Sequence, residues 1–401
     1  MTRALERVVV VGGGVAALRT VQALRRRGFE GTLTVVGDEP HAPYSRPPLS
    51  KDVLAGKSEP ESTQLAKPDE LAELEVELRL GERASRLDLR KRLLDVGNAP
   101  IPFDGLVIAT GASPRRLPAL EGIEGVHLLR TLDDALALRA ALERGPRVLV
   151  VGAGFIGSEV AATARSRGLD VTVVELSPTP LAYAVGPEMG AVLASIHAEH
   201  GTTLRAGTTV SALEGQGRVE RARLSDGNDV DVDVVIVGVG VTPNTDWLQG
   251  SGLDLADGVV CRATLEASVQ DVYAAGDVAR WPNDLFGSAG RVEHWTTAGD
   301  HGTHVAKNLL AEVAPQPFVD AGYVWSDQYG LKIQVVGLTN DYDEVTVVDG
   351  NVEARKFIAL YRRGDRVVGA LGVSSPPLVM RARRLIEQRA PWAQALAAIA
   401  S

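Results

Sequence analysis

Cysteine is almost absent: Cys261 is the only one in 401 residues. A single thiol cannot close an internal disulfide, build a Cys-x-x-Cys redox centre or ligate an iron–sulfur cluster. The expected part for Cys261 is that of a small apolar filler. Long hydrophobic runs are missing as well. No stretch approaches the roughly 18 apolar residues of a membrane-spanning helix, and Met1–Arg7 is too short and too charged to serve as a secretory leader. A soluble, cytoplasmic protein without a membrane partner is expected. Basic side chains number 42 against 51 acidic ones, for a formal net charge of −9. That leaves no excess to neutralise phosphates, so a nucleic-acid partner is not expected. Two catalytic signatures are lacking too. There is no Gly-x-Ser-x-Gly elbow for acyl transfer. His301 and His304 lie three apart, but without a third ligand or the glutamate of His-Glu-x-x-His, so no metal site is expected.

Glycine, by contrast, is plentiful and pointedly placed. Arg7-Val8-Val9-Val10-Val11 reads as a central parallel strand, Gly12-Gly13-Gly14 as a turn, Val15–Arg27 as a helix ending at Gly28, and Thr32–Val36 as the next strand. This is a βαβ unit. It recurs about 140 residues later, with a strand at Arg147–Val151, the turn Gly152-Ala153-Gly154-Phe155-Ile156-Gly157, a helix from Ser158 to Arg167 and a strand at Val171–Glu175. Two further strands end in glycine, at Gly111 and Gly238, each followed by a proline-containing stretch where the chain is expected to cross between domains. Beyond Pro315-Gln316-Pro317, apolar and polar residues alternate around Lys332–Val335 and Arg366–Gly369. That texture predicts a small antiparallel sheet with a terminal helix, a separate α+β domain.

Each glycine turn carries its own chemistry. Gly12-x-Gly14-x-x-Ala17, with Val15 and Ala16 opening the helix, lets a pyrophosphate approach the backbone and meet the free N–H groups of a helix start. Alanine is tolerated at the third position, whose task is close helix–strand packing. Asp38, after the second strand, is placed to accept hydrogen bonds from an adenosine ribose. Gly152-x-Gly154-x-x-Gly157 is the full fingerprint, with Glu175 ending its second strand. A carboxylate there binds the ribose hydroxyls of NAD and repels the 2′-phosphate of NADP, and no arginine stands beside it, so NADH is the expected donor. Two such folds suggest one resident and one exchanging cofactor. The spacing alone leaves open which fold holds which.

Longer motifs bring in a family resemblance. Tyr44-Ser45-Arg46-Pro47-Pro48-Leu49-Ser50-Lys51, Ala109-Thr110-Gly111, Tyr273-Ala274-Ala275-Gly276-Asp277 and Trp325-Ser326-Asp327-Gln328 resemble the motifs of FAD-dependent ferredoxin and rubredoxin reductases. These are the putidaredoxin reductase-like flavoproteins that serve Rieske-oxygenase and cytochrome P450 systems. The resemblance runs nearly end to end. It implies an α/β fold with two Rossmann-like, glutathione-reductase-like domains: an FAD-binding domain from 1–110 and 240–316, an NAD-binding domain from 111–239, and a C-terminal α+β domain from 317–401. It further implies Lys51 near the flavin N5 with Glu159 beside it, Arg46 and Arg130 on the phosphate and ribitol side, and Asp277 after Gly276 on a ribitol hydroxyl. Trp295 and Trp325 would flank the flavin, with Glu293, Thr110 and Gly111 also lining the FAD site and Ala84 contacting adenine through its main chain. Gly238 falls with the NAD site. The implied activity is that of an NADH:ferredoxin oxidoreductase. A flavin NADH oxidase or quinone reductase, and a redox-sensing protein resembling apoptosis-inducing factor, stand as the alternatives.

Overall fold

The computed structural model describes residues 5–97 and 99–400, so the first four residues of Met1–Arg7, read above for a leader, lie outside the described residues. The chain forms two compact units, each gathered from three stretches. The first is Met1–Ser45, Thr63–Ser113 and Thr242–Gly322; the second is Arg46–Ser62, Pro114–Val241 and Tyr323–Ser401.

The first unit is built on a parallel sheet in the order Val272–Ala274, Gly105–Ile108, Arg7–Val11, Thr32–Gly37 and Val76–Leu80. Val8–Val11 and Leu106–Ile108 are buried on both faces, which is why they read as unbroken apolar runs rather than alternating ones. Strand order reverses around Arg7–Val11, and ligands of open α/β sheets lie at such a switch point, beyond the strand's carboxyl end. The first glycine turn opens there, leading into the helix Val15–Arg26.

His301 belongs to this unit's core. It is fully buried on the helix Trp295–Leu309, with its ring edge-on to Trp281 and Phe318 at 4.5 and 4.6 Å. The Gly276 N–H donates to its Nδ1 at 3.2 Å, which puts the imidazole proton on Nε2. Burial pushes its pKa down to about 3, whereas an unfolded chain takes up the proton near ~6.5. The contribution to stability is therefore complete above the unfolded value and is lost as the pH falls toward the folded one. The slope is about 1.4 kcal/mol per pH unit. His301→Asn keeps an acceptor for Gly276. Between pH 6.5 and 5 it is expected to lose about 1.5 kcal/mol less of its unfolding free energy than the parent chain, measured by urea titration. Equal losses would show that His301 titrates normally.

The second unit repeats the parallel pattern in the order Thr203–Ala206, Val171–Glu175, Val148–Val151, Val234–Val237 and Val126–His127. Its glycine-turn helix is Phe155–Ser166, starting three residues before the Ser158 read from the sequence. Gly154 is the N-cap, so Gly157 falls inside the first turn, where an added Cβ would lie 2.0 Å from the Gly152 carbonyl oxygen.

The second unit also contains an antiparallel sheet in the order Tyr323–Gln328, Leu331–Gly337, Arg366–Val373, Lys356–Arg363 and Glu344–Asn351. Two helices follow it, Pro376–Glu387 and Trp392–Ile399. Val185, Met189 and Ile196 of the helix Ala182–Glu199 share a core with Ile333, Phe357, Tyr361 and Leu371 of that sheet. Each such side chain contributes roughly 1.5–3 kcal/mol on burial. The Tyr361 hydroxyl, fully buried, donates to the Val185 carbonyl at 2.6 Å.

Candidate functional site

Gly12 has φ +124°, and a Cβ there would sit 2.1 Å from the Ala109 carbonyl oxygen, so the turn closes tightly against the Ala109-Thr110-Gly111 strand end. Gly14 is different, because a Cβ there would meet nothing within 4 Å. The protein's own packing does not demand glycine at that position. What a side chain would fill is the space in front of the helix start. That start has no side-chain cap and no acidic residue in its first turn, so its N–H groups and positive dipole end are left for an anion. Ala17 is fully buried without displacing the helix, so a methyl is accommodated at the third position of this turn. Asp38 is exposed just past Thr32–Gly37. Thr110 and Gly111 are fastened to Asn244: the Thr110 hydroxyl donates to the Asn244 carbonyl at 2.9 Å, and the Asn244 amide returns a bond to the Thr110 carbonyl at 2.8 Å.

The second turn has the same open mouth. A Cβ on Gly154 would meet nothing within 4 Å, and the helix it opens is uncapped and free of first-turn acids. Glu175 is held against this loop, accepting from Ala153 N at 2.6 Å through one oxygen and from Ser177 N at 2.8 Å through the other. Each carboxylate oxygen keeps a further lone pair, and that is what two vicinal hydroxyls need. Gly238 ends the neighbouring strand, with its N–H on the Val151 carbonyl.

The lysine-bearing segment is gripped by the second glycine-turn helix. Glu159, Thr163 and Arg167 recur at i, i+4 and i+8, so they share one face. The Ser50 hydroxyl donates to Glu159 Oε2 at 2.5 Å, the Thr163 hydroxyl donates to the Ser50 carbonyl at 2.8 Å, and Arg167 donates to the Leu54 carbonyl at 3.0 Å. Lys51 Nζ lies 2.9 Å from Glu159 Oε2, with side-chain exposures of 15% and 3%. The Ser326 hydroxyl, from the antiparallel sheet, donates to Glu159 Oε1 at 2.7 Å. A buried ion pair is tolerable only when its remaining hydrogen-bonding capacity is met, and here both carboxylate oxygens are satisfied. Lys51 also donates to the Pro47 carbonyl at 3.1 Å. Among the described residues those are its two acceptors, against three ammonium hydrogens. Arg46 donates to the Arg130 carbonyl at 2.6 Å in the same unit.

Residues 6–302 match the pyridine nucleotide-disulphide oxidoreductase family, and residues 323–400 match the reductase C-terminal family. The chain belongs to the pyridine nucleotide-disulphide oxidoreductases. It is 37% identical to the ferredoxin–NAD(+) reductase component of the p-cumate 2,3-dioxygenase system of Pseudomonas putida, over 96% of this chain and 94% of that protein. It is 34% identical to putidaredoxin reductase of Pseudomonas putida, over 96% and 93%. Among solved structures, the covalent putidaredoxin reductase–putidaredoxin complex superposes with a TM-score of 0.93 at 32% identity, covering 97% of this chain and 94% of that one.

The family's cofactors are FAD and a nicotinamide dinucleotide, and the two uncapped helix mouths fit two pyrophosphates. The disulfide in the family name has no counterpart here. Cys261 is buried, and burial pushes its thiol up to about 12, which disfavours the thiolate at neutral pH. No helix among the described residues is long and apolar enough to cross a membrane.

Other residues singled out from the sequence fall within one unit or the other. Gly276 packs on Ala16, a Cβ there lying 3.4 Å from the alanine methyl, and Asp277 follows it in a short 3-10 turn. Trp295 opens its helix after the N-cap His294. Glu293 forms an ion pair with Arg291 at 2.9 Å. Ala84 starts the strand Ala84–Asp88 of a separate three-stranded sheet. Trp325, in the second unit, stacks on Tyr323 with ring centroids 5.9 Å apart.

Sequence reasoning missed Ser50, Thr163, Ser326 and Arg291. Ser50 and Ser326 lay inside the quoted motifs, and Thr163 was signalled by its helical spacing from Glu159. Arg291 carried no local signal. Its guanidinium is nearly buried and joins the Asp277 carbonyl, Asp257 and Glu293 at 2.8, 3.2 and 2.9 Å, which fixes the turn that bears Asp277.

Proposed function

We propose that the chain is a cytoplasmic FAD flavoprotein that takes electrons from NADH and passes them to a small ferredoxin-type iron–sulfur protein. That protein would supply a cytochrome P450 or a Rieske oxygenase. The observation that carries this reading is the pair of open glycine-turn helix starts in a chain whose one cysteine is inert, which leaves bound flavin as the exit for electrons. The curated relatives named above carry ferredoxin and putidaredoxin in their names, over nearly their whole length.

When bound, FAD accepts a hydride equivalent and releases electrons one at a time. The chain's own residues bind and orient. Gly12, Gly14, Val15, Ala16 and Ala17 form the FAD pyrophosphate turn, Asp38 takes the adenosine ribose, and Ala84, Thr110, Gly111, Gly276, Asp277, Glu293 and Trp295 belong to the same cofactor's site; Arg46, Arg130 and Trp325 are assigned to FAD by the family resemblance. Gly152, Gly154, Phe155, Ile156, Gly157, Glu175 and Gly238 hold NADH. Lys51, neutralised on one side by Glu159, offers its remaining hydrogen to the reacting centre and favours electron-rich flavin. The test is NADH-dependent cytochrome c reduction with and without added [2Fe–2S] ferredoxin. Ferredoxin is expected to accelerate it about tenfold or more; no acceleration would favour an oxidase or quinone reductase.

Docking of an acidic ferredoxin falls to the exposed arginines of Pro376–Glu387. Arg383 is ion-paired with Glu387 at 3.0 Å, whereas Arg384 and Arg381, the latter donating to the Ala398 carbonyl at 2.8 Å, are exposed. Reversing both charges, Arg381→Glu with Arg384→Glu, is expected to slow ferredoxin reduction about tenfold at low salt and to leave ferricyanide reduction intact. Equal slowing of both acceptors would remove this patch from the mechanism.

A further inference from the structure

Ser326 is fully buried on the strand Tyr323–Gln328 and reaches the Glu159 oxygen that Lys51 does not hold. A carboxylate can only accept, so the Ser326 hydrogen must go to Glu159 Oε1. The serine oxygen then accepts from Gln328 Nε2 at 3.0 Å, which also settles which way the Gln328 amide faces. Ser326 and Gln328 stand two apart on one strand face. The turn that follows is itself pinned, because the Tyr329 hydroxyl lies 2.7 Å from His197 Nδ1 and 2.8 Å from the Thr202 hydroxyl. The strand thus presents one fixed donor to a carboxylate that is almost entirely shielded from solvent.

The other carboxylate oxygen carries both Ser50 and Lys51. Were Ser326 unable to donate, Oε1 would stand buried without a partner, which is costly for a charged acceptor. The carboxylate would relieve this by turning, and any turn draws Oε2 away from the ammonium. Lys51 would lose the contact that holds its third hydrogen outward. We infer that Ser326 is a positioning residue, acting through Glu159 to fix the Lys51 ammonium. This rests on the reading that Lys51 serves the meeting point of NADH and flavin.

The test uses the purified flavoprotein with Ser326→Ala and Ser326→Thr. Acylation of individual lysines is followed by peptide mass spectrometry, with exposed Lys57 as the internal reference. The Lys51-to-Lys57 labelling ratio is expected to rise about fivefold in Ser326→Ala and to stay near the parent value in Ser326→Thr, which keeps the hydroxyl. In anaerobic stopped-flow, the limiting rate of flavin reduction is expected to fall about tenfold in the alanine variant, with the NADH dissociation constant within about twofold. Should either variant fail to fold, Gln328→Met frees the serine hydroxyl to rotate and is expected to shift both readouts the same way. An unchanged labelling ratio and rate would overturn the inference. So would a threonine variant as impaired as alanine, or a lower melting temperature without selective Lys51 labelling. A parent protein whose flavin NADH does not reduce would instead overturn the functional reading, while the labelling ratio would still decide the geometry.

Discussion

Lys51→Ala is expected to slow reduction of bound flavin by NADH about a hundredfold while FAD remains bound. The side chain supplies a charge-assisted donor, worth roughly 1.5–3 kcal/mol, and each 1.36 kcal/mol is about tenfold in rate. FAD retention is expected because the glycine turn proposed to hold its pyrophosphate, Gly12–Ala17, belongs to the first unit and Lys51 to the second. A second consequence separates catalysis from folding. The substitution leaves the Glu159 carboxylate, 3% exposed, without its cation, and breaking a buried pair costs roughly 3–5 kcal/mol. The double variant Lys51→Ala with Glu159→Gln removes that uncompensated charge. It is expected to recover most of the melting temperature but none of the rate. Anaerobic stopped-flow and thermal unfolding read the two effects separately, and a normal rate in Lys51→Ala would reassign the lysine to structure.

Glu175→Ala is expected to weaken NADH about tenfold or more and to narrow the gap to NADPH. The carboxylate sits where two backbone N–H groups, Ala153 and Ser177, aim it past the end of its strand. In the proposed NADH site, removing it would delete a charged acceptor for the ribose, worth roughly 1.5–3 kcal/mol, and also the charge that would oppose a 2′-phosphate. NADH and NADPH therefore move in opposite directions, which simple loosening of the loop would not produce. Glu175→Gln keeps an acceptor for one N–H but not the charge, and its NADPH gain separates repulsion from loop damage. The comparison is kcat/KM for the two donors. An unchanged ratio would place selectivity elsewhere.

The two nucleotide folds were legible because they are written locally. A buried parallel strand is a run of Val and Ile, a glycine turn must follow it, and an acid must end the next strand. All of this falls within about 30 residues. The antiparallel sheet was legible from alternation around Lys332–Val335 and Arg366–Gly369. What was not legible is the partnership that organises the site. Ser50 meets Glu159 across 109 positions and Ser326 meets it across 167, distances at which no periodicity survives. The segment Arg46–Ser62 lies between strands of the first unit in sequence, yet it belongs to the second because Glu159, Thr163 and Arg167 grip it. Arg291 was invisible for a similar reason, since two of its three partners, Asp277 and Asp257, lie 14 and 34 positions away. The helix start at Phe155 was misplaced by three residues because Gly157 reads as part of a turn, although its task is to let the first helical turn press on Gly152.

The most direct measurement of the whole account is an anaerobic titration of the purified protein with NADH, followed by visible absorption, and then addition of oxidised [2Fe–2S] ferredoxin. The account predicts a yellow protein whose flavin bands bleach with one NADH per FAD and return as ferredoxin is reduced. A colourless protein that takes up no FAD, or a flavin that NADH reduces but ferredoxin cannot reoxidise, would contradict it.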